Sequence, residues 1–498
     1  PPVFIGAAGL VVAFIIFGGI WTDTAKSVFD RTLTFISTQL GAYYIYLTFS
    51  VLILVIALAI SPAGKIRLGS PGEEPEFRRL PWLAMLFSAG MGMGLVFWGV
   101  AEPVMHFGDP PFAQGNTPEA KEEAMRFAFF HWGFHPWAVY VLFGLGIAYF
   151  HFRKELPLAP RSLLYPILGD KINGPIGHAA DIICTVGTLL GVATSLGLGA
   201  MQINSGLNTL TNVEFGTTNQ LYVILIITAA ATTSTITGVG KGIKYLSMVN
   251  LGLMALLLLF VMAVGPFGKQ MEWFGSTFLA NLRELPATSV WVDDQSGKSW
   301  QTDWTIFYWG WWISWCPFVG IFIARISRGR TIREFIVTIL LLPATVTFLW
   351  FSVFGATAFH QLENGYQGLA EVVSQNESMA LYELLGNLPL AQISQWAALL
   401  LIVIFFVTSS DSGSLVDDMV TSGGNPDPPV AQRAFWGVSE GASAAVLIVV
   451  GGLEALQSAS ISGGLIQSVL LIGCALSLVL ALRKDRPGKP DDQTQPSA

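Results

Sequence analysis

Long apolar stretches alternate with short charged connections along this chain, and that rhythm leaves few folds open to it. Apolar runs of roughly 18 to 30 residues stand near 3–20, 43–62, 81–105, 126–150, 179–208, 219–236, 246–266, 304–326, 335–358, 393–423, 432–452 and 459–482. Each is long enough to cross a bilayer as a helix, and lipid admits only helices or closed barrels because backbone polar groups find no water there. Of the 498 residues, 52% are hydrophobic and only 12% charged, too little polar surface for a soluble globule. The expected fold is an all-α polytopic membrane protein with about 12 transmembrane helices.

Basic residues test that count, because Lys and Arg collect in cytoplasmic loops. With the N-terminus inside, alternate connections hold Lys65, Arg67, Arg78, Arg79, Arg153, Lys154, Arg161, Lys171, Lys241, Lys244, Arg325, Arg328, Arg330, Arg333, Arg433, Arg483, Lys484, Arg486 and Lys489. Only Lys26, Arg31, Lys121, Arg126, Lys269, Arg283 and Lys298 fall outside. Both termini are therefore expected in the cytoplasm of a bacterial-type plasma (inner) membrane.

The net charge of −7 resides largely in loops such as Gly72 to Glu76 and argues against nucleic-acid binding. Cys184, Cys316 and Cys474 all fall in apolar runs, which favours packing over a disulfide framework. Within the connection 267–303, Met271 to Leu282 is amphipathic and suited to lying at the outer interface. The opening apolar run lacks a basic leader, so no cleavable signal peptide is expected, and a start at Pro1 rather than Met reads as a trimmed N-terminus. The tail 484–498 is rich in Pro, Asp and Gln and is expected to be disordered.

Three clusters interrupt the apolar pattern. The first, Ser88-Ala89-Gly90-Met91-Gly92-Met93-Gly94, places three glycines in five residues mid-span, which weakens a helix and lets backbone approach a ligand. Thr408-Ser409-Ser410-Asp411-Ser412-Gly413-Ser414 is a second polar interruption with a carboxylate at membrane depth, the kind of residue that marks a functional site. Freed carbonyls and hydroxyls of Thr408 and Ser409 suit a hard monovalent cation, while half-helix amides near Gly90 to Gly94 suit a carboxylate. Tryptophans form the third theme. Trp304, Trp309, Trp311, Trp312 and Trp315 fall within twelve residues, and their π faces attract a cation without a buried counter-charge.

The segment His131 to Tyr140 adds Trp132, Trp137 and Tyr140, which on one continuous helix project at about 0°, 140° and 80°, a concave wall that a kink at Pro136 would widen. His131 and His135 have metal-ligand spacing, but no acidic partner motif accompanies them. A substrate with both a cation and a carboxylate, carried with Na⁺, satisfies all three clusters. An ion channel would need repeated polar rings, and an enzyme a nucleophile-base pair or a metal cluster; neither is seen.

These clusters, with Phe97 to Pro103 and the basic run Ala324 to Glu334, resemble the betaine/choline/carnitine transporter family over nearly the whole chain. The resemblance implies two inverted five-helix repeats of the sodium-coupled amino-acid transporter type, 81–266 and 304–483. Two extra helices in 1–80 would precede them, and the outer interfacial helix and loop of 267–303 would join them. It implies alternating access and a quaternary-ammonium box of Trp132, Trp137, Tyr140 and Trp312. Trp311 and Trp315 would stand beside the box with Ala89, Met91 and Met93 as further substrate contacts, and Phe307 and Phe322 would form the gate and pathway.

One Na⁺ would be held by backbone near Ser88, Met91 and Phe405 with the hydroxyls of Thr408 and Ser409. Gly90, Gly92 and Gly94 would allow one bend and Asp411 would orient the other. A second Na⁺ site would use Thr188 and Phe318, with Val192 where the family places another threonine. Gly94, where proton-coupled choline members tend to carry Asp, favours sodium symport of glycine betaine. Choline, carnitine, proline, ectoine or sulfonium carriers, proton-coupled or exchanging, share the pocket and stay open. Na⁺ is the expected coupling ion with no organic cofactor, and a homotrimer in the lipid bilayer is the expected assembly.

Overall fold

The computed structural model describes residues 2–90, 92–237, 240–293, 299–425 and 428–485, and leaves out the side chains of 87–90, 235, 237 and 240–244. Among these residues there is no strand, only one isolated antiparallel bridge between Arg67 and Thr331. The helices are α1 (Pro2–Ile20), α2 (Thr22–Ile60), α3 (Arg79–Gly90), α4 (Met93–Gly108), α5 (Pro118–Trp132), α6 (Phe134–Ala148), α7 (Tyr165–Leu168), α8 (Pro175–Thr211) and α9 (Thr217–Thr237). They continue with α10 (Gly240–Val264), α11 (Phe267–Val290), α12 (Phe307–Arg325), α13 (Ile332–Glu363), α14 (Gly368–Gln375), α15 (Ala380–Gly386), α16 (Ala391–Thr421) and α17 (Val430–Lys484). Nine helical stretches among the described residues are long and apolar enough to cross a membrane. The chain is an all-α, multi-pass membrane protein.

Several boundaries differ from the sequence expectation. The connection 21–42 is helix, so α2 runs for 39 residues, roughly 58 Å at the α-helical rise. No proline stands in its first half to stop it, and Lys26 is paired at the surface, 3.6 Å from Asp30 and 3.5 Å from Glu454. The two last expected spans are present as the two halves of α17, separated by non-helical backbone at Gly451 and Gly452. Gly452 takes φ 56° and ψ −130°, a region open essentially to glycine. Lys484, assigned to the tail, is still helical, while 486–498 lie outside the described residues.

The interruption expected at Thr408 to Ser414 is not a break. Helix α16 continues through it to Thr421, and Asp411 orients no bend. Its hydroxyls turn back to carbonyls one turn earlier: Thr408 Oγ1 donates to Ile404 O at 2.9 Å and Ser414 Oγ to Ser410 O at 2.9 Å. Such back-bonding lets a polar run remain helical in an apolar setting. Two breaks do occur near the tryptophans. Gly92, with φ −124° and ψ 174°, separates α3 from α4. Gly133, with φ −98° and ψ −123°, separates α5 from α6.

Helix α8 lies in the interior against α12, α16 and α17, and α12 packs on α6. Helix α11 packs on α13 and α5. It buries Gln270, Thr277, Asn281, Thr288 and Ser289 while leaving Phe267, Leu279 and Leu282 exposed. The three cysteines are buried and free.

Candidate substrate site and its anchoring

Helix breaks and glycines bring the tryptophans together. Trp132 ends α5, while Trp137 and Tyr140 belong to α6, so the arc expected from one continuous helix does not apply. Gly133 makes the break, and Pro136 sits in the first turn of α6, where a missing N–H loses nothing. Trp132 meets Trp312 edge-on with ring centroids 4.8 Å apart, Tyr140 meets Trp312 at 6.5 Å, and Trp137 meets Tyr140 at 5.4 Å. The four residues expected to form the box therefore make one continuous aromatic set. Trp311 stacks on Trp312 at 4.9 Å and on Phe307 at 5.4 Å, extending it along α12.

Gly94 permits this closeness. A Cβ there would stand 2.6 Å from the Trp311 ring and 3.0 Å from the Trp132 ring. Met93 instead packs against α8, where a Cβ on Gly199 would meet its sulfur at 1.9 Å. Met91 and the side chains of Ser88, Ala89 and Gly90 lie outside the described residues.

Glu102 of α4 holds the set in place, and no sequence argument above gave it a role. Its Oε2 accepts the Trp132 indole N–H at 2.7 Å and the Tyr308 hydroxyl at 2.5 Å. Its Oε1 lies 2.7 Å from His131 Nδ1 and 3.1 Å from His106 Nε2. All of these groups are fully or nearly buried. His131 Nε2 lies 3.0 Å from Thr305 Oγ1, and the Trp312 indole donates to the His131 carbonyl at 3.0 Å. Two of the three box indoles, Trp132 and Trp312, thus spend their N–H groups on the scaffold. A signal was legible, since Glu102 is a carboxylate inside an apolar span.

His131 and His135, whose spacing alone was compatible with a metal, face different partners: His135 Nε2 lies 3.0 Å from Ser289 Oγ. Glu102, His106 and His131 place ligand-type atoms within 4.8 Å of one another. Glu102 Oε1, His131 Nδ1 and His106 Nε2 are engaged with one another in the hydrogen bonds above, so the cluster is a hydrogen-bonded hub, while His106 Nδ1 is left without a partner among the described residues.

A cavity of about 260 Å³ lies between α10, α12 and α16, and none of the four box residues lines it. Gly92, Trp315, Phe318, Phe405, Thr408 and Ser409 line it, and it extends past Phe322 to Arg325 at the end of α12. Thr408 donates its proton to main-chain carbonyls, which leaves oxygen lone pairs for a cation. The donor set of Thr408 and Ser409, two hydroxyls on one cavity wall beside the Gly92 break, fits a hard cation of the Na⁺ type. Thr188 faces α17, 3.4 Å from Gln467 Nε2, and Phe318 packs edge-on against Trp315 at 4.9 Å.

The model of the BCCT, betaine/carnitine/choline family transporter, matches residues 2–487. The glycine betaine transporter OpuD of Bacillus subtilis is 44% identical over 480 residues, covering 96% of this chain and 93% of that protein. A probable glycine betaine transporter of Desulfitobacterium hafniense is 40% identical, with 97% of each chain covered. A glycine betaine/proline/choline/ectoine transporter of Vibrio parahaemolyticus is 41% identical, covering 97% of this chain and 87% of its own length. The chain belongs to the betaine/carnitine/choline transporter family, and it is a membrane transporter rather than an enzyme.

Proposed function

We propose that this chain imports glycine betaine together with Na⁺ by alternating access. The observation behind the reading is the aromatic set of Trp132, Trp137, Tyr140 and Trp312, in which Glu102 and the His131 carbonyl take the two facing indole N–H groups. With those polar edges bound to protein, the rings offer a cation their electron-rich faces, each contact being worth about 0.5 to 2 kcal/mol. The relatives named for glycine betaine support the substrate. The broader Vibrio name makes choline, proline and ectoine the competitors to test.

The cavity lined by Gly92, Phe318, Phe322 and Arg325 serves as the inward vestibule. Na⁺ is assigned to Thr408, Ser409 and the Phe405 carbonyl beside the α3/α4 break, with Ser88 and Met91 supplying backbone. Bound there, it would neutralise the substrate carboxylate and tie its affinity to the sodium gradient. Spans 81–266 and 304–483 act as the two inverted repeats, both termini are cytoplasmic, and the apolar outer residues of α11 form a trimer contact.

The test is uptake of labelled glycine betaine into proteoliposomes under an inward Na⁺ gradient, compared with K⁺ and with a proton gradient alone. Accumulation above equilibrium only with Na⁺ supports symport. Equal accumulation in K⁺ rejects it.

A further inference from the structure

Helix α16 has a second polar face. Thr408, Ser412, Leu415 and Met419 line the cavity, whereas Ser410, Gly413, Ser414 and Asp417 project from the opposite side at 100° per residue. There they meet Glu440 of α17, which is fully buried. With its proton on Ser410 O, Ser414 Oγ lies 3.1 Å from Glu440 Oε2, and Ser410 Oγ donates to the same oxygen at 3.4 Å. Glu440 Oε1 has no hydrogen-bond partner, nor has either carboxylate oxygen of the fully buried Asp417. Neither acid pairs with a basic side chain among the described residues.

An independent element supplies more unused oxygen. Thr228 and Thr232 of α9 are only 8% exposed, and neither hydroxyl has a partner. Elsewhere buried helical threonines return their hydroxyls to the carbonyl one turn back, as Thr185 does at 3.0 Å and Thr357 at 2.7 Å. The α9 hydroxyls face the glycines that flank Glu440. A Cβ on Gly441 would stand 2.1 Å from Thr228 Oγ1, and one on Gly437 would stand 2.7 Å from Thr232 Oγ1 and 3.6 Å from Ser414 Oγ. A Cβ on Gly413 would stand 3.0 Å from Glu440 Oε1 and 3.1 Å from Val192 Cγ1. Three bare helix positions thus let oxygens from α9, α16 and α17 converge.

A carboxylate that stays ionised inside a membrane needs a counter-charge. Oxygens that ligate a hard cation at about 2.4 Å stand roughly 3.4 Å apart at right angles, close to the spacings of Glu440 with Ser410 and Ser414. We propose that Glu440, with the hydroxyls of Ser414 and Thr232, forms a second site for a hard monovalent cation of the Na⁺ type. It lies on the face of α16 opposite Thr408. The assignment rests on the reading of this chain as a cation-coupled transporter, and it places the second ion on α17 rather than beside Thr188.

Binding of ²²Na⁺ to the purified full chain in nanodiscs, without substrate, tests it. The wild type is expected to bind two Na⁺ per chain, and Glu440→Gln and Thr408→Ala one each. Ser414→Ala and Thr232→Val are expected to weaken one of the two binding steps about threefold or more. Those two milder variants decide the matter if Glu440→Gln does not fold, as judged by size exclusion, and wild-type affinity in both overturns the site. A wild type that binds one Na⁺, lost in Thr408→Ala and untouched in Glu440→Gln, also overturns it while leaving sodium symport intact. No Na⁺ binding by wild type, alongside intact glycine betaine binding, overturns both cation sites but not the substrate assignment.

Discussion

The indole N–H of Trp132 donates to Glu102 Oε2 at 2.7 Å, joining an aromatic wall of the box to a buried carboxylate thirty positions earlier. Because Tyr308, His131 and His106 converge on the same carboxylate, one side chain fixes α4, α5 and α12 around the site.

Removing that carboxylate strands several buried polar groups at once, which costs about 3 to 5 kcal/mol when a buried charged partner is lost. Glu102→Ala is expected to reduce folded protein sharply. Glu102→Gln keeps one acceptor and is expected to fold, with apparent affinity for glycine betaine weakened about tenfold and maximal uptake changed far less. Uptake kinetics and size exclusion on the two variants check this, and unchanged affinity in Glu102→Gln would rule out a positioning role.

Trp312 contacts Trp132, Tyr140, Tyr308 and Trp311. Trp312→Leu preserves bulk but removes a π face, so apparent affinity should fall by about 1 to 2 kcal/mol, or roughly 5- to 30-fold. Trp312→Phe should recover part of the loss. Half-saturation constants for glycine betaine uptake give the answer.

Gly94→Ala brings a methyl within 2.6 Å of the Trp311 ring. Overpacking of this kind costs about 1 to 3 kcal/mol, here spent on separating Trp311 from Trp132. Uptake is expected to drop severalfold while expression holds, and Gly92→Ala, with no side chain within 4 Å of its added Cβ, should be milder.

Much of this was legible beforehand because bilayer physics is strict. The apolar runs specify most of the spans, although 81–105 and 219–236 are not among the described helices long and apolar enough to cross a membrane, and the glycine run specifies the break at Gly92. The meeting of Trp132, Trp137, Tyr140 and Trp312 in one aromatic set was readable from residue type and spacing. The misreadings share a cause. Thr408 to Ser414 looks like a break only if its hydroxyls lack partners, and i−4 carbonyls supply them. The hub at Glu102 depends on His106, His131 and Tyr308 meeting across three helices, which no local pattern encodes. Gly133 displaced Pro136 as the kink because a proline in the first turn of a helix breaks nothing.

Beyond the membrane-spanning part of α17, Asp485 pairs with Arg153 and accepts from Tyr149 at 2.9 Å. Burial alone would raise its carboxyl, but the Arg153 and Tyr149 hydrogen bonds outweigh burial and hold it below the usual carboxylate range. A depressed pKa contributes stability that is full above about pH 4 and is lost as pH falls through the folded-state value. Arg153→Met should therefore lower thermal stability at pH 7, with the difference from wild type shrinking in the acid range. Melting curves between pH 7 and pH 3 measure it.

The central claim is that the aromatic set recognises positive charge. Competition for labelled glycine betaine binding between unlabelled glycine betaine and 3,3-dimethylbutanoate, the same shape with carbon in place of the ammonium nitrogen, isolates that charge. Glycine betaine is predicted to compete at least tenfold better in the wild type, with the gap narrowing in Trp312→Leu. Equal competition by the two compounds in the wild type would contradict the account.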